Sequence, residues 1–229
     1  MKTLVIIPAY NEEACIVSTI EKLKKDAPWA DYVVVNDCST DSTQEVLERN
    51  DINHISLRNN LGIGGAVQTG YKYALANNYD VAVQIDGDGQ HDTVYLKDVV
   101  SLIESNDADI VIGSRFITKE GFQSSFFRRM GIGLLNFWIR LFCGAKITDC
   151  TSGYRAVNRK FISLYADDYP VDYPEPEAIV MAKICGARIK EKPVVMKERI
   201  TGKSSIRPVH TIYYMSKVMI SIIVCRLRF

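Results

Sequence analysis

No Cys-x-x-Cys pair occurs among the six cysteines (Cys15, Cys38, Cys143, Cys150, Cys185, Cys225), which leaves the chain without that redox or metal motif. Most of them lie in apolar runs, where a free Cys behaves as a small hydrophobe, and a reducing cytoplasm is the consistent setting. Internal repeats, low-complexity segments and a linker long enough to separate domains are also lacking. A 229-residue chain then fits one large domain, or one domain with a tail. Met1-Lys2-Thr3-Leu4 enters a strand directly and shows no signal peptide. Net charge is nearly absent too, with 28 basic against 27 acidic side chains. Its distribution is uneven. From Met1 to Ala182 the balance is 17 basic to 25 acidic, and from Lys183 to Phe229 it is 11 to 2. A basic end on an acidic chain points to an anionic partner surface, lipid headgroups or nucleic acid, or else to a solvated tail.

What is present is apolar, at 47% hydrophobic residues, and regularly patterned. Thr3 to Ile7 is a short apolar run closed by Pro8 and reads as a buried parallel strand. Asn11-Glu12-Glu13 opens a helix, with Asn11 as N-cap and the acidic residues in its first turn. A second strand, Asp31 to Asn36, precedes a helix from Ser42 to Arg49. A third, His54 to Leu57, leads through Asn60-Leu61-Gly62-Ile63-Gly64-Gly65 into a helix ending at Ala76. Val81 to Ile85 is the fourth strand; a helix, Tyr95 to Glu104, and a fifth strand, Asp109 to Gly113, follow. This alternation implies an α/β fold with a doubly wound, mostly parallel sheet flanked by helices.

The fourth strand ends in Asp86-Gly87-Asp88-Gly89-Gln90-His91, two carboxylates separated by one glycine. Open α/β sheets bind ligands at the carboxyl ends of their strands. Carboxylates this close repel unless a cation lies between them, and hard oxygen ligands favour Mg²⁺ or Mn²⁺. The alternative is a plain acidic turn. An EF-hand is a poorer fit, because His91 stands at the loop's sixth place and Lys97 at its twelfth. Other ligand signatures are partial. Gly62-x-Gly64-Gly65 offers backbone N–H groups to an anion, but Val67 replaces the last glycine of the dinucleotide fingerprint. Gly202-Lys203-Ser204 matches only the end of a P-loop. Asp37, after the second strand, suits either a nucleotide base or a helix cap.

Two stretches are unusually apolar. Ser124 to Phe142 carries Arg128, Arg129 and Arg140 among large hydrophobics, too interrupted to span a bilayer; it suits an interfacial helix or a buried crossover helix. Pro208 to Phe229 reads as a C-terminal amphipathic interfacial helix with Tyr213 and Tyr214 at headgroup level. The expected division is a catalytic domain over 1–205 and a membrane-associating helix over 206–229.

Pro8-Ala9-Tyr10-Asn11-Glu12-Glu13, Val35-Asn36-Asp37-Cys38-Ser39-Thr40-Asp41, Asn60-Leu61-Gly62, Asp86-Gly87-Asp88-Gly89-Gln90-His91, Gly113-Ser114-Arg115 and Thr151-Ser152-Gly153-Tyr154-Arg155 occur in that order. Together they resemble a family 2 inverting glycosyltransferase of the GT-A (Rossmann-like) fold, and within it the dolichyl- and polyprenyl-phosphate sugar synthases. The resemblance implies a nucleotide site lined by Pro8, Ala9, Tyr10, Glu12, Asp37 and Asp86, with Asp37 holding the base. It implies a metal, Mg²⁺ or Mn²⁺, on Asp86, Asp88 and Gln90 against the donor diphosphate. Asp88, Arg115, Arg128 and Arg129 would carry catalysis, and Arg115, Arg128, Arg129, Arg199, Lys203 and Ser204 the acceptor phosphate. Two departures stand out. Lys203 precedes its serines, and Gly133 or Ile132 stands where relatives often show a Ser one turn after the gripping arginine.

The resemblance leaves two acceptors to weigh. A phosphate monoester is mostly dianionic at neutral pH and needs no base, only cations to place it and a metal on the leaving diphosphate. A saccharide hydroxyl, as in cell-wall or capsular polysaccharide assembly, needs a base, for which Glu175 and Glu177 are candidates; both also fit a helix N-terminus. The expected reaction moves a hexose, glucose or N-acetylglucosamine, from a nucleotide-sugar to undecaprenyl phosphate. It would run on the cytoplasmic (inner) face of the cell membrane, as a peripheral protein beside a small membrane protein partner. Nucleic acid is not expected as a partner, since the aromatics cluster with aliphatics and not with basic residues on a sheet face.

Overall fold

The computed structural model describes residues 1–118, 120–121, 126–172, 174–197, 217–221 and 224, less the side chains of Phe126 and Phe127. Among the described residues, seven strands form one sheet in the order β3-β2-β1-β4-β6-β5-β7. They are β1 (Thr3–Ala9), β2 (Asp31–Asn36), β3 (His54–Ser56), β4 (Val81–Gln84), β5 (Ile110–Ser114), β6 (Arg155–Asn158) and β7 (Ile189–Pro193). Every neighbouring pair is parallel except those of β6, which runs antiparallel between β4 and β5. All seven residues of β1 are buried, as a central strand covered on both faces requires.

Alternation along the strands divides the core into two layers. Val5, Ile7, Val83 and Ile85 face one side, against α1 (Ile16–Asp26), α2 (Thr43–Arg49) and α4 (Leu96–Glu104). Leu4, Ile6, Ala82 and Ile112 face the other, against α3 (Gly62–Ala76), α5 (Phe126–Cys143), α6 (Arg159–Asp167) and α7 (Pro174–Ile184). Gln84 and Arg155 pair across β4 and β6, so both side chains belong to the second layer.

Asn11 does not cap α1, contrary to its expected place. The helix begins only at Ile16, and the Glu12 carbonyl takes the N–H groups of Cys15 and Ile16. Asn11 adopts φ 57°, and its side-chain oxygen accepts from the Thr40 N–H at 2.8 Å. The loop after β1 thus satisfies the loop after β2 before it satisfies its own helix.

Ile132, Leu135 and Ile139 of α5 enter the core, while Met130, Leu134, Phe137 and Leu141 on its outer face are 47–61% exposed. The crossover-helix reading accounts for the inner stripe alone. At the C-terminus, Val218 joins the core, Lys217 pairs with Asp172 and Ser221 donates to Glu177, which sets this segment against the start of α7. Among the described residues, no helix is long and apolar enough to cross a membrane. Arg199, Lys203, Ser204, Tyr213 and Tyr214 lie outside the described residues.

Candidate active site

The loops leaving β1, β2 and β4 meet along the carboxyl edge of the sheet. Thr43 Oγ1 accepts from the Glu12 N–H at 2.9 Å, and Glu13 accepts from the Ser42 N–H at 2.8 Å. Pro8 and Ala9 are buried, whereas the Tyr10 ring is exposed above them. Asp37 is buried and its Oδ1 accepts from the Leu61 N–H at 2.7 Å, while Asn60 donates back to the Asp37 carbonyl. The carboxylate therefore ties the second motif to the third. At Gly64 the need for glycine is one of packing: a Cβ there would stand 2.2 Å from the Pro170 carbonyl oxygen.

The acidic stretch is shaped by its glycines. A Cβ on Gly87 would stand 3.2 Å from the Pro8 carbonyl oxygen, and Gly89 takes φ 75°, a value that favours glycine. Asp88 is buried, and its Oδ1 accepts from the Gln90 N–H at 2.9 Å. The Asp86 side chain keeps 34% of its surface exposed, at the mouth of the site. His91, a member of the motif with no expected role in the site, is buried behind it. Its Nδ1 accepts from the Asp86 N–H at 2.9 Å, and its Nε2 stands 3.6 Å from Asp86 Oδ2. Its ring meets Tyr154 edge-on at 5.3 Å. Gln90 donates its side-chain N–H to the Lys197 carbonyl, and Lys197 returns its N–H to the Gln90 carbonyl.

Among the described residues, no three or more His, Cys, Asp or Glu side chains gather into a complete cation cage. The site nonetheless fits a hard divalent cation. Asp86 and Asp88 offer oxygens from one turn, and Mg²⁺ or Mn²⁺ characteristically keeps its remaining positions for water and phosphate oxygens. Gly153 reinforces the fit. Its Cβ position lies 3.1 Å from Asp86 Oδ1 and 3.4 Å from Gln84 Nε2, so any side chain there would press on the carboxylate. Gly153→Ala is expected to cut turnover about tenfold while the melting temperature stays within a few degrees, because only the orientation of Asp86 is disturbed. Unchanged kinetics in that variant would show that Asp86 tolerates the shift.

Arg115 follows β5 and is held, not loose. Its Nε and Nη2 donate to the two oxygens of Asp149, each at 2.7 Å, and Nη2 also donates to Thr151 at 2.9 Å. Burial works against the guanidinium's charge, but the Asp149 carboxylate outweighs it and holds the pKa above the ordinary value. Asp149 is itself fully buried, and no sequence pattern singles it out. Arg128 is half-buried and Arg129 exposed where α5 begins.

The two glutamates of α7 go separate ways. Glu177 accepts from Ser221 of the C-terminal segment. Glu175 feels the charges of Arg155, Asp86 and Arg115 instead. Burial raises its pKa, the Arg155 and Arg115 charges oppose the rise, and Asp86 adds to it. Arg155, fully buried, donates to the carbonyls of Ser152, Glu175 and Cys150 at 2.7–2.9 Å, fixing the loop before β6 to the start of α7.

A doubly wound sheet with a braced loop pair on one side of its carboxyl edge and an Asp-x-Asp turn on the other defines the GT-A class of sugar-transferring enzymes. Solved structures with this fold include glucosyl-3-phosphoglycerate synthase from Mycobacterium tuberculosis in complex with Mn²⁺, uridine-diphosphate and phosphoglyceric acid. That structure matches at a TM-score of 0.70 and 21% identity over 98% of this chain and 78% of the other. The chain belongs to Glycosyl transferase family 2, whose sequence pattern matches residues 4–165, and it is a glycosyltransferase. The undecaprenyl-phosphate mannosyltransferase of Micrococcus luteus is 30% identical over 217 residues, covering 90% of this chain and 88% of its own. The polyprenol monophosphomannose synthase of Mycolicibacterium smegmatis is 30% identical, covering 90% and 81%.

Proposed function

We propose that this chain transfers a hexose from a nucleotide-sugar to a polyprenyl phosphate, with inversion and with a divalent cation at the acidic turn. The observation that carries the acceptor is α5, which opens with Arg128 and Arg129 and turns an apolar stripe outward from Met130 to Leu141. Cations at the root of an exposed apolar face suit a phosphate headgroup whose prenyl chain stays in lipid. The named relatives, which act on undecaprenyl or polyprenol phosphates, support the same reading.

Pro8, Ala9, Tyr10, Glu12 and Asp37 line the nucleotide's side of the cleft, and Asp86 and Asp88, with Gln90 beside them, hold the cation. When bound, the cation neutralises the departing diphosphate. Arg115, fixed by Asp149, presents a pre-oriented positive charge to the cleft. With Arg128 and Arg129, and with Arg199, Lys203 and Ser204 beyond the described residues, it positions the acceptor phosphate. That phosphate attacks the anomeric carbon in line, and the nucleotide diphosphate leaves from the opposite face. The apolar stripe on α5, together with the C-terminal segment over 206–229, would lie on the inner membrane face, beside a small membrane partner, with residues 1–205 as the catalytic domain.

Mannose joins glucose and N-acetylglucosamine as a donor sugar to test, since both relatives are named for it. The full chain should be incubated with undecaprenyl phosphate, Mn²⁺ or Mg²⁺, and radiolabelled GDP-mannose, UDP-glucose or UDP-N-acetylglucosamine. One donor is expected to give a labelled lipid that survives mild base and is lost in mild acid. No labelled lipid with any of the donors, while label does pass to a saccharide acceptor supplied in a parallel incubation, would overturn the assignment.

The hydroxyl-acceptor alternative has one specific support, the Glu175 carboxyl, whose pKa burial raises and the Asp86 charge raises further. Glu175→Gln separates the two. A missing general base costs about 10²–10⁴-fold in turnover. With phosphate as nucleophile, the Glu175→Gln loss is expected to stay near tenfold, far below that of a metal-ligand variant.

A further inference from the structure

Gln84 is the one polar residue of β4 and is fully buried, yet neither its side-chain oxygen nor its nitrogen has a hydrogen-bond partner among the described residues. Nothing in the assigned site uses it. Buried amides without partners are rare because each forfeits its bonds to water. Arg155, directly across the ladder, does not serve: three of its five N–H donors go to backbone carbonyls, and none of its groups hydrogen-bonds Gln84.

Where the amide lies is informative. Strand periodicity turns Gln84 and Asp86 to the same face of the sheet. The Gln84 nitrogen, Asp86 Oδ1 and His91 Cε1 all stand within 3.4 Å of the point where a Cβ on Gly153 would be. Gly153 has no left-handed φ, so the position calls for glycine through the closeness of these neighbours and not through conformational freedom. A buried amide nitrogen, a donor, and a carboxylate oxygen, an acceptor, thus border the same glycine.

We propose that Gln84 is a positioning residue for Asp86, its buried amide set beside Gly153 behind the carboxylate that faces the cation. The inference rests on the cation reading given above, and it concerns the chain's own residues behind the site. Partners of this kind help to orient a ligating carboxylate, and losing one typically weakens metal binding about 10–100-fold.

The test is Mn²⁺ binding to the full chain, followed by electron paramagnetic resonance with UDP present and needing no turnover. Gln84→Met keeps the side-chain length and removes both polar atoms; Gln84→Asn keeps the amide but withdraws it by one methylene. Each is expected to weaken Mn²⁺ about tenfold. Tyr169→Phe serves as the control, since it removes another buried, unpartnered polar atom from the same layer, among the rings of Tyr71 and Tyr165. It should leave Mn²⁺ affinity unchanged. If Gln84→Met does not fold, Gln84→Asn decides. A folded Gln84 variant that binds Mn²⁺ as tightly as the wild type overturns the proposal, whatever its melting temperature. An equal loss in Tyr169→Phe also overturns it, by showing a general loosening of the layer. Wild-type chain that binds no Mn²⁺ with UDP sinks the cation reading and this inference together, whereas matched binding in the variants sinks this one alone.

Discussion

Asp88→Asn is expected to lower turnover by about a thousandfold while leaving the fold intact. The two halves of that expectation have separate physical grounds. Asp88 is buried, and the structural use made of its Oδ1 is to accept the Gln90 N–H. An asparagine oxygen accepts that bond equally well, so the turn should close as before. What the substitution removes is a formal negative charge beside Asp86, and with it much of the attraction for a divalent cation in a setting where water cannot screen it. Circular dichroism and melting temperature should match the wild type, and EDTA should silence the wild type to the same degree. Added Mn²⁺ or Mg²⁺ should restore the chelated wild type and not the variant. Full activity in Asp88→Asn, or indifference to chelator, would remove the cation from the mechanism.

Asp149→Ala is expected to cost about 3–5 kcal/mol of stability, the range for breaking a buried ion pair from one side. Asp149 is fully buried and its two oxygens take two N–H groups of Arg115, with the Arg115 backbone N–H at 3.2 Å as a third donor. Without it, a guanidinium that is itself mostly buried keeps its desolvation penalty and loses its counterion. For a chain of this size the loss corresponds to a fall in melting temperature of roughly 10 °C. The double variant Arg115→Met/Asp149→Leu should recover much of that loss, because an apolar pair of similar volume avoids the penalty altogether, yet it should remain inactive. Chemical denaturation measures both. A single-variant cost under about 1 kcal/mol, the size of an exposed pair, would mean that water reaches the pair freely.

The elements of the fold legible in the sequence are those set by local period. β1, β2 and β4 announce themselves as short apolar runs, because a strand buried on both faces admits little else, although β1 runs on through Pro8, its expected stop, to Ala9. The helix ending at Ala76 reads to its observed last residue, and the glycines of the acidic turn read as the bends they make. Asn11 misleads because an asparagine before acidic residues signals a helix cap, whereas the neighbouring loop offers its oxygen better donors. β6, β7 and α6 have no comparable signal. Four residues such as Arg155–Asn158 carry too little periodicity to declare a strand, and their antiparallel place between β4 and β5 depends on partners more than forty residues away in sequence.

The same division runs through the site. By itself the sequence determined the class of enzyme and the acidic turn, since ordered motifs and a carboxylate pair at a strand's end are properties of neighbouring residues. Only the tertiary structure decided that Asp149 secures Arg115, that Glu177 meets the C-terminal segment through Ser221, and that Gln84 and Gly153 stand behind Asp86. Those relations come from segments that insertion of β6 brings together, and side chains meeting across a sheet leave no spacing along the chain by which to read them.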